Sequence, residues 1–212
     1  GALTYTGQKQ ELIEPGTTTG GTLWYRLDGT SLWGDTSPEA TDAGTYTVWY
    51  RVSGGDNYED VAAKSVEVTI QPAQLQEITV TQEGTLTYNG QQQTARVAAG
   101  AVTVDNSPVR FTYSASENGS YTAAVPACLS AGTHTLYYKA SAANHTEAAG
   151  SFTVEIGKKD ITGAAIALEN SLTYNGAEQT QGVASVSVDG LTVPAGTYTV
   201  TDNTGTDVKE YT

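Results

Sequence analysis

The feature that most limits how this chain can fold is that it repeats itself. Three segments open alike: Leu3-Thr4-Tyr5-Thr6-Gly7-Gln8, Leu86-Thr87-Tyr88-Asn89-Gly90-Gln91 and Leu172-Thr173-Tyr174-Asn175-Gly176-Ala177, starting 83 and 86 residues apart. A second block, Ala43-Gly44-Thr45-Tyr46-Thr47-Val48, returns as Ala131-Gly132-Thr133-His134-Thr135-Leu136. Residues 23–51 overlay 111–139 without a gap at an offset of 88, pairing Tyr25 with Tyr113, Trp33 with Tyr121, Pro38 with Pro126 and Tyr50 with Tyr138. Self-similarity at a fixed period signals one supersecondary unit copied in tandem. The expected division is 1–71, 72–157 and 158–212, two units and part of a third. For the third, Ala195-Gly196-Thr197-Tyr198 comes too soon after Leu172 to be the second block. Val208-Lys209-Glu210-Tyr211-Thr212 fits better, and it lets Val186–Asp189 match Val102–Asp105 and Thr197-Tyr198 match Thr112-Tyr113. On that register the first unit lacks a counterpart of Leu75–Val80 and the third lacks one of Ser151–Ile156. Both ends are therefore expected to fall inside a repeat, in keeping with a sequence that contains no Met.

Within a unit the side chains alternate. In Thr45–Val52 one side carries Tyr46, Val48, Tyr50 and Val52, and the other carries Thr45, Thr47, Trp49 and Arg51. That period of two predicts half-buried strands, and Leu23–Leu27, Ser65–Ile70 and Ser151–Ile156 share it. Asp28-Gly29 predicts a turn, and Asn89-Gly90 and Asn175-Gly176 predict tight type I′ hairpin turns. No window has a helical period. Short strands punctuated by turns in units of about 85 residues predict an all-β chain of small antiparallel sandwiches, essentially without helix. Tyr25, Tyr46, Tyr50, Tyr113 and Tyr138 are expected to fill the cores with Val48 and Leu136, since each aromatic buries on the order of 150–250 Å². The joints are short and not Gly/Ser-rich, so neighbouring repeats should be semi-rigid partners of one another. At about 3.3 Å per strand residue, each unit should be roughly 35–40 Å long and the chain a rod on the order of 100 Å.

Composition narrows the partners. Ten Lys and Arg against 23 Asp and Glu give a formal charge of −13, which repels nucleic acid and anionic lipid. No apolar run approaches the ~18 residues that a spanning helix needs, so no membrane insertion is expected. The acid is spread over all three segments and reads as a solubilising surface. A single Cys excludes a disulfide framework within the chain and any Cys-based zinc site.

The motif Leu-Thr-Tyr-Asn-Gly-x-x-Gln, followed by Ala-Gly-Thr-Tyr-Thr-Val and Asn-Tyr, resembles the MBG ("mostly beta, glycine-rich") bacterial Ig-like repeats. The resemblance covers Leu3–Ile70 and Leu75–Ile156 and about half of a third copy. This sequence departs from the pattern at His134, at Cys128, and at Val208-Lys209-Glu210. The resemblance implies tandem Ig-like units in secreted or cell-wall-attached surface proteins, hence an extracellular location with signal and anchor outside this chain. It implies a spacer or adhesive stalk, no catalytic residues and no cofactor.

Candidate chemistry is sparse. His134 is expected on an inward strand face and His145 as a loop anchor; the two have no metal-ligand spacing, and no nucleophile elbow or phosphate loop is present. Asp56-Asn57-Tyr58-Glu59-Asp60 gathers oxygen ligands that would suit Ca²⁺, but without an EF-hand pattern, so no metal is assigned. Cys128 lacks a neighbouring cation to activate it. A Lys–Asn isopeptide bond would need a core lysine, and Lys139 of the strand lysines Lys64 and Lys139 faces outward. The strongest binding signal is on the outward faces. Trp24 and Arg26 on one strand and Trp49 and Arg51 on another would form an aromatic–cationic patch if the strands are neighbours. Tyr137 and Lys139 repeat the theme opposite Thr112 and Ser114. Such a face suits a host glycan or protein, or it covers the sheet by stacking on itself. The incomplete third copy should leave a sheet edge that invites pairing, so 158–212 is expected either to make an edge-strand contact between chains or to be covered by the second unit.

Overall fold

Alternating Thr, Val and Tyr favour the pleated half-buried surface. The computed structural model, which describes residues 2–207, is all β, with no helix among them. Repeat 1 contributes β1 (Leu3–Thr4), β2 (Gln10–Glu11), β3 (Thr22–Leu27), β4 (Glu39–Ala40), β5 (Gly44–Ser53) and β6 (Val61–Gln71). Repeat 2 contributes β7 (Ala73–Gln74), β8 (Gln76–Glu83), β9 (Leu86–Thr87), β10 (Arg96–Val102), β11 (Arg110–Ser114), β12 (Gly132–Ser141), β13 (His145–Thr146) and β14 (Ala148–Gly157). The rest forms β15 (Ala165–Leu168), β16 (Gln179–Thr180), β17 (Val183–Val188), β18 (Leu191–Val193) and β19 (Thr204–Gly205). The four strands read from alternation are all present, each longer than its pattern, by as little as one residue in β3.

The chain gathers into two compact units, one drawn from Gly1–Gly84, Thr94–Pro126 and His134–Val154, the other from Thr85–Gln93, Ala127–Thr133 and Glu155–Thr212. In the first, β3, β5 and β6 are antiparallel neighbours, with Tyr25 opposite Tyr50 and Val48 opposite Val66. β1 adds to the free edge of β6 in parallel, Leu3 against Ile70. Tyr5, Leu12, Tyr25, Val48, Ile70 and Ala73 form the core of this sandwich, with Leu3, Tyr46, Tyr50 and Val68 packed against it. β11 and β12 are antiparallel neighbours, and β8 pairs with β10. In the second unit, β9 lies parallel to the last residues of β14, Leu86 against Ile156. β15, β17 and β18 form an antiparallel sheet, and β16 pairs with β19.

Of the expected core, Tyr25, Tyr113, Val48 and Leu136 are buried, whereas Tyr46, Tyr50 and Tyr138 are half-buried. A phenol must keep its hydroxyl satisfied, and Tyr46 does so at the rim by donating to the Asp42 carbonyl at 2.7 Å. The side chains taken fully out of water are aliphatic instead: Ile70, Ile156, Val48 and Val154.

The repeat is visible at single hydrogen bonds. The motif glutamine donates back to the motif threonine carbonyl six residues earlier in every copy: Gln10 to Thr4 at 3.0 Å, Gln93 to Thr87 at 3.1 Å and Gln179 to Thr173 at 3.0 Å. Between them, Asn89 and Asn175 each accept the amide two residues on, at 2.9 and 3.0 Å, and Thr6 does the same for Gln8 at 3.3 Å. These are Asx and ST turns. The expectation of type I′ hairpins at Asn89-Gly90 and Asn175-Gly176 is corrected. Only the glycines have positive φ (76° and 78°), whereas type I′ needs it at both central residues; the asparagine serves as an acceptor rather than as a left-handed residue.

Each motif glutamine also marks a bridge: Gln10 with Ala40, Gln93 with Cys128, Gln179 with Gly205. Counting three residues on from each partner reaches Ala43, Ala131 and Val208, the register chosen from the sequence. Val208–Thr212 lie outside the described residues. Thr197-Tyr198, matched to the strand pair Thr112-Tyr113, is corrected to a turn in which Thr197 bonds the Pro194 carbonyl. Thr112 and Tyr113 owe their strand to β12, and no such partner reaches Thr197 among the described residues.

Candidate functional site

Residues directly opposite in an antiparallel pair share a face. The β3–β5 register sets Trp24 against Arg51 and Arg26 against Trp49, so the expected patch is real and its Trp and Arg alternate like a checkerboard. The loop after β3 adds a residue that sequence reasoning left out of it. Leu27–Thr30 turn on Gly29 (φ 79°), and the chain folds back until Tyr25 and Gly34 exchange backbone bonds at 2.7 and 2.8 Å. That places Trp33 over the two arginines. All three tryptophans of the protein therefore lie on this face.

The stacking is internal. The Arg26 guanidinium sits 5.3 Å from the ring centres of both Trp33 and Trp49, and its Nη1 donates to the Thr30 carbonyl at 2.8 Å. Arg51 lies 4.5 Å from the Trp33 ring. The Trp49 indole N–H is taken by the Asp28 carboxylate at 3.0 Å. Both sides of Arg26 are thus occupied, and what stays open is the half-buried Trp24 ring and the outer side of the exposed Arg51.

Repeat 2 keeps a reduced version. Lys139 lies 5.2 Å from the Tyr121 ring and ion-pairs with Glu147 at 2.9 Å; the Glu147 bond pushes the Lys139 ammonium up from its ordinary value. Tyr121 is the counterpart of Trp33 and Lys139 of Arg51, both at the offset of 88. That shared offset was the signal for Trp33. Tyr137 stands opposite Ser114, and Thr112 opposite Lys139, with Arg110 opposite Ser141 on the same face.

A second cluster lies within the first unit, where repeat 1 meets repeat 2. The Tyr5 hydroxyl donates to the Asp105 carboxylate at 2.7 Å, and Ser107 donates to the same carboxylate through its hydroxyl and its amide. Those bonds, Ser107 first and Tyr5 next, hold Asp105 well below the usual carboxylate range, and the Asp105 bond in turn pushes the Tyr5 phenol up. Asn144, in the left-handed region at φ 60°, accepts the Ala43 amide at 3.0 Å and donates to Asp42 at 2.9 Å. His145, expected in a loop, instead opens β13 opposite Ala73 and is buried; its Nδ1 donates to the Ala143 carbonyl at 2.7 Å and its Nε2 accepts the Val104 amide at 3.3 Å. Tyr5 meets its ring edge-on at 5.5 Å.

The remaining candidates stay apart. Asp60 accepts the Gly54 amide at 2.8 Å, and no three His, Cys, Asp or Glu side chains converge among the described residues. Cys128 is buried, and burial pushes its thiol up. His134 is half-buried, and Lys64 is exposed outside the core. No family model matches the chain, and no curated protein matches it.

Proposed function

We propose that the chain is a set of non-catalytic Ig-like spacer repeats of the MBG type, belonging to a bacterial protein displayed outside the cell. The observation that carries this reading is the bonding between repeats 1 and 2. Tyr5–Asp105, Asn144–Asp42 and the Ala43 amide to Asn144 tie residues about 100 apart in sequence, as a load-transmitting tandem requires. Fully made polar contacts of this kind fix one geometry rather than add raw stability. Single-molecule pulling from both ends tests it. Repeats 1 and 2 are expected to resist as one body, and Asn144→Ala is expected to split that event into two weaker ones. Two independent events in the unaltered chain would sink the proposal.

The collection of all three tryptophans on one face favours a second reading, an adhesin module that takes a host glycan or protein through Trp24, Arg26, Trp49 and Arg51, with Tyr137 and Lys139 as the weaker counterpart. Because Arg26 and Trp49 are already engaged, Trp24 and Arg51 would make the contacts. A glycan array separates the readings: saturable binding lost in Trp24→Ala favours the adhesin, and absence of binding favours the spacer.

A further inference from the structure

The chain holds three Asn-Gly pairs, at 89–90, 118–119 and 175–176, and all three asparagines are exposed. An asparagine followed by glycine can react with its own main chain, because no Cβ keeps the next amide nitrogen away from the side-chain carbonyl carbon. Whether it reacts depends on what holds those two groups, and the structure holds them differently in repeat 2.

At Asn118-Gly119 the nucleophile is engaged: the Gly119 amide donates to the Ser116 carbonyl at 3.1 Å. That bond must break before the nitrogen can lose its proton and attack. At Asn89-Gly90 no carbonyl accepts the Gly90 amide among the described residues. Instead the Gln91 amide donates to Asn89 Oδ1 at 2.9 Å, the oxygen that turns negative when the carbonyl carbon is attacked. A main-chain donor on that oxygen stabilises charge as it develops, as an oxyanion hole does. The turn itself does not need this chemistry. Repeat 1 closes the same turn with Thr6, whose hydroxyl accepts the Gln8 amide and which has no side-chain carbonyl to attack.

We propose that Asn89-Gly90 is a site of self-modification. Solvent base removes the Gly90 amide proton, the nitrogen bonds to Asn89 Cγ, and the side-chain nitrogen leaves as ammonia, closing a five-membered succinimide. Water then opens the ring at one of its two carbonyls. The products are aspartate and isoaspartate, and in the latter the main chain runs through the side chain and gains a methylene. The Tyr88 amide bond to Gly157 lies on one side of the lengthened link. On the other, Gly90 is packed so closely that a Cβ would stand 2.6 Å from Leu191 Cδ2. Both contacts cannot keep their geometry across a longer link, so repeat 2 loses its hold on Leu191 as the protein ages. This goes beyond either functional reading and holds for a spacer and an adhesin alike.

Incubating the whole folded chain in mildly alkaline buffer and mapping its peptides by mass tests it. Residue 89 is expected to gain the mass of an amide-to-acid exchange about tenfold faster than residue 118. That difference is expected to vanish in urea, where both pairs are unconstrained. Isoaspartate at residue 89, read by isoaspartyl methyltransferase labelling, shows that the Gly90 nitrogen attacked. Aspartate alone would mean direct hydrolysis and would overturn the proposal, as would equal rates at 89 and 118 in the folded chain. Asn175→Thr silences the third pair, where the Ala177 amide donates to Asn175 in the same way. In that background the melting temperature of the second unit should fall on incubation, and with Asn89→Thr added it should not. An equal response of the two chains overturns the loosening at Leu191.

Discussion

Tyr5 carries two different attachments: its ring lies in the core of repeat 1 and its hydroxyl reaches Asp105 of repeat 2. The pH dependence of that bond has two edges. Asp105 has a folded-state pKa below its ordinary value, so its contribution is present above about pH 4 and is lost as acid protonates the folded carboxylate. Tyr5 is raised, so its contribution is complete below about pH 10 and is lost as base ionises the folded phenol. Tyr5→Phe should lower the melting temperature at neutral pH, because it removes a hydrogen bond to a charged group. Melting curves against pH should show that difference shrinking below about pH 4, which would not occur if the hydroxyl were idle. Gly7 makes a second residue-level prediction. It has φ 76°, and a Cβ there would stand 2.8 Å from the Asp105 Cβ, whereas Gly29, at φ 79°, has nothing within 4 Å. Gly29→Ala should cost about 1–2 kcal/mol of backbone strain alone, and Gly7→Ala measurably more in urea unfolding. Equal costs would show that the Asp105 contact yields freely.

At the scale of elements, the face built by β3, β5 and the loop between Leu27 and Gly34 holds together by cation–π stacking. A double-mutant cycle of Trp33→Ala and Arg51→Ala should return a coupling of about 0.5–1 kcal/mol; zero coupling would mean the ring merely lies nearby. This face also shows what the sequence made legible. The alternation of Thr45–Val52 and Leu23–Leu27 settled which residues face outward, and once the two strands pair, the Trp–Arg checkerboard follows. Trp33 was harder to place, because a loop residue has no period and only the Tyr25–Gly34 bridge brings it back. The parallel seating of Leu3–Thr4 on Ile70–Gln71 was illegible for a related reason. A two-residue strand carries no pattern of its own, and its partner lies 67 residues away in the sequence. The Asn-Gly turns misled because asparagine has two uses in turns, as a left-handed residue and as a side-chain acceptor, and composition does not distinguish them.

For the whole molecule, the two units differ in how much apolar surface they withdraw from water. The first holds Val48 and Ile70 at 0 % exposure, while the second leaves Ile166, Leu168, Leu172, Tyr174 and Val200 substantially open. At roughly 25 cal/mol per Å² of buried apolar area, the second unit should melt first. Calorimetry should show two transitions, with Asn144→Ala lowering only the upper one; a single transition would contradict the division. The six-residue glutamine clasp has a further consequence for synthesis. Made from the N-terminus, the chain presents Leu3–Thr4 long before Ile70 exists to receive it, and the loop closure that joins them is slow to reward. A clasp whose donor and acceptor are six residues apart closes without waiting. Each nascent repeat can therefore leave the ribosome with its receiving edge already set for a strand that has yet to be translated.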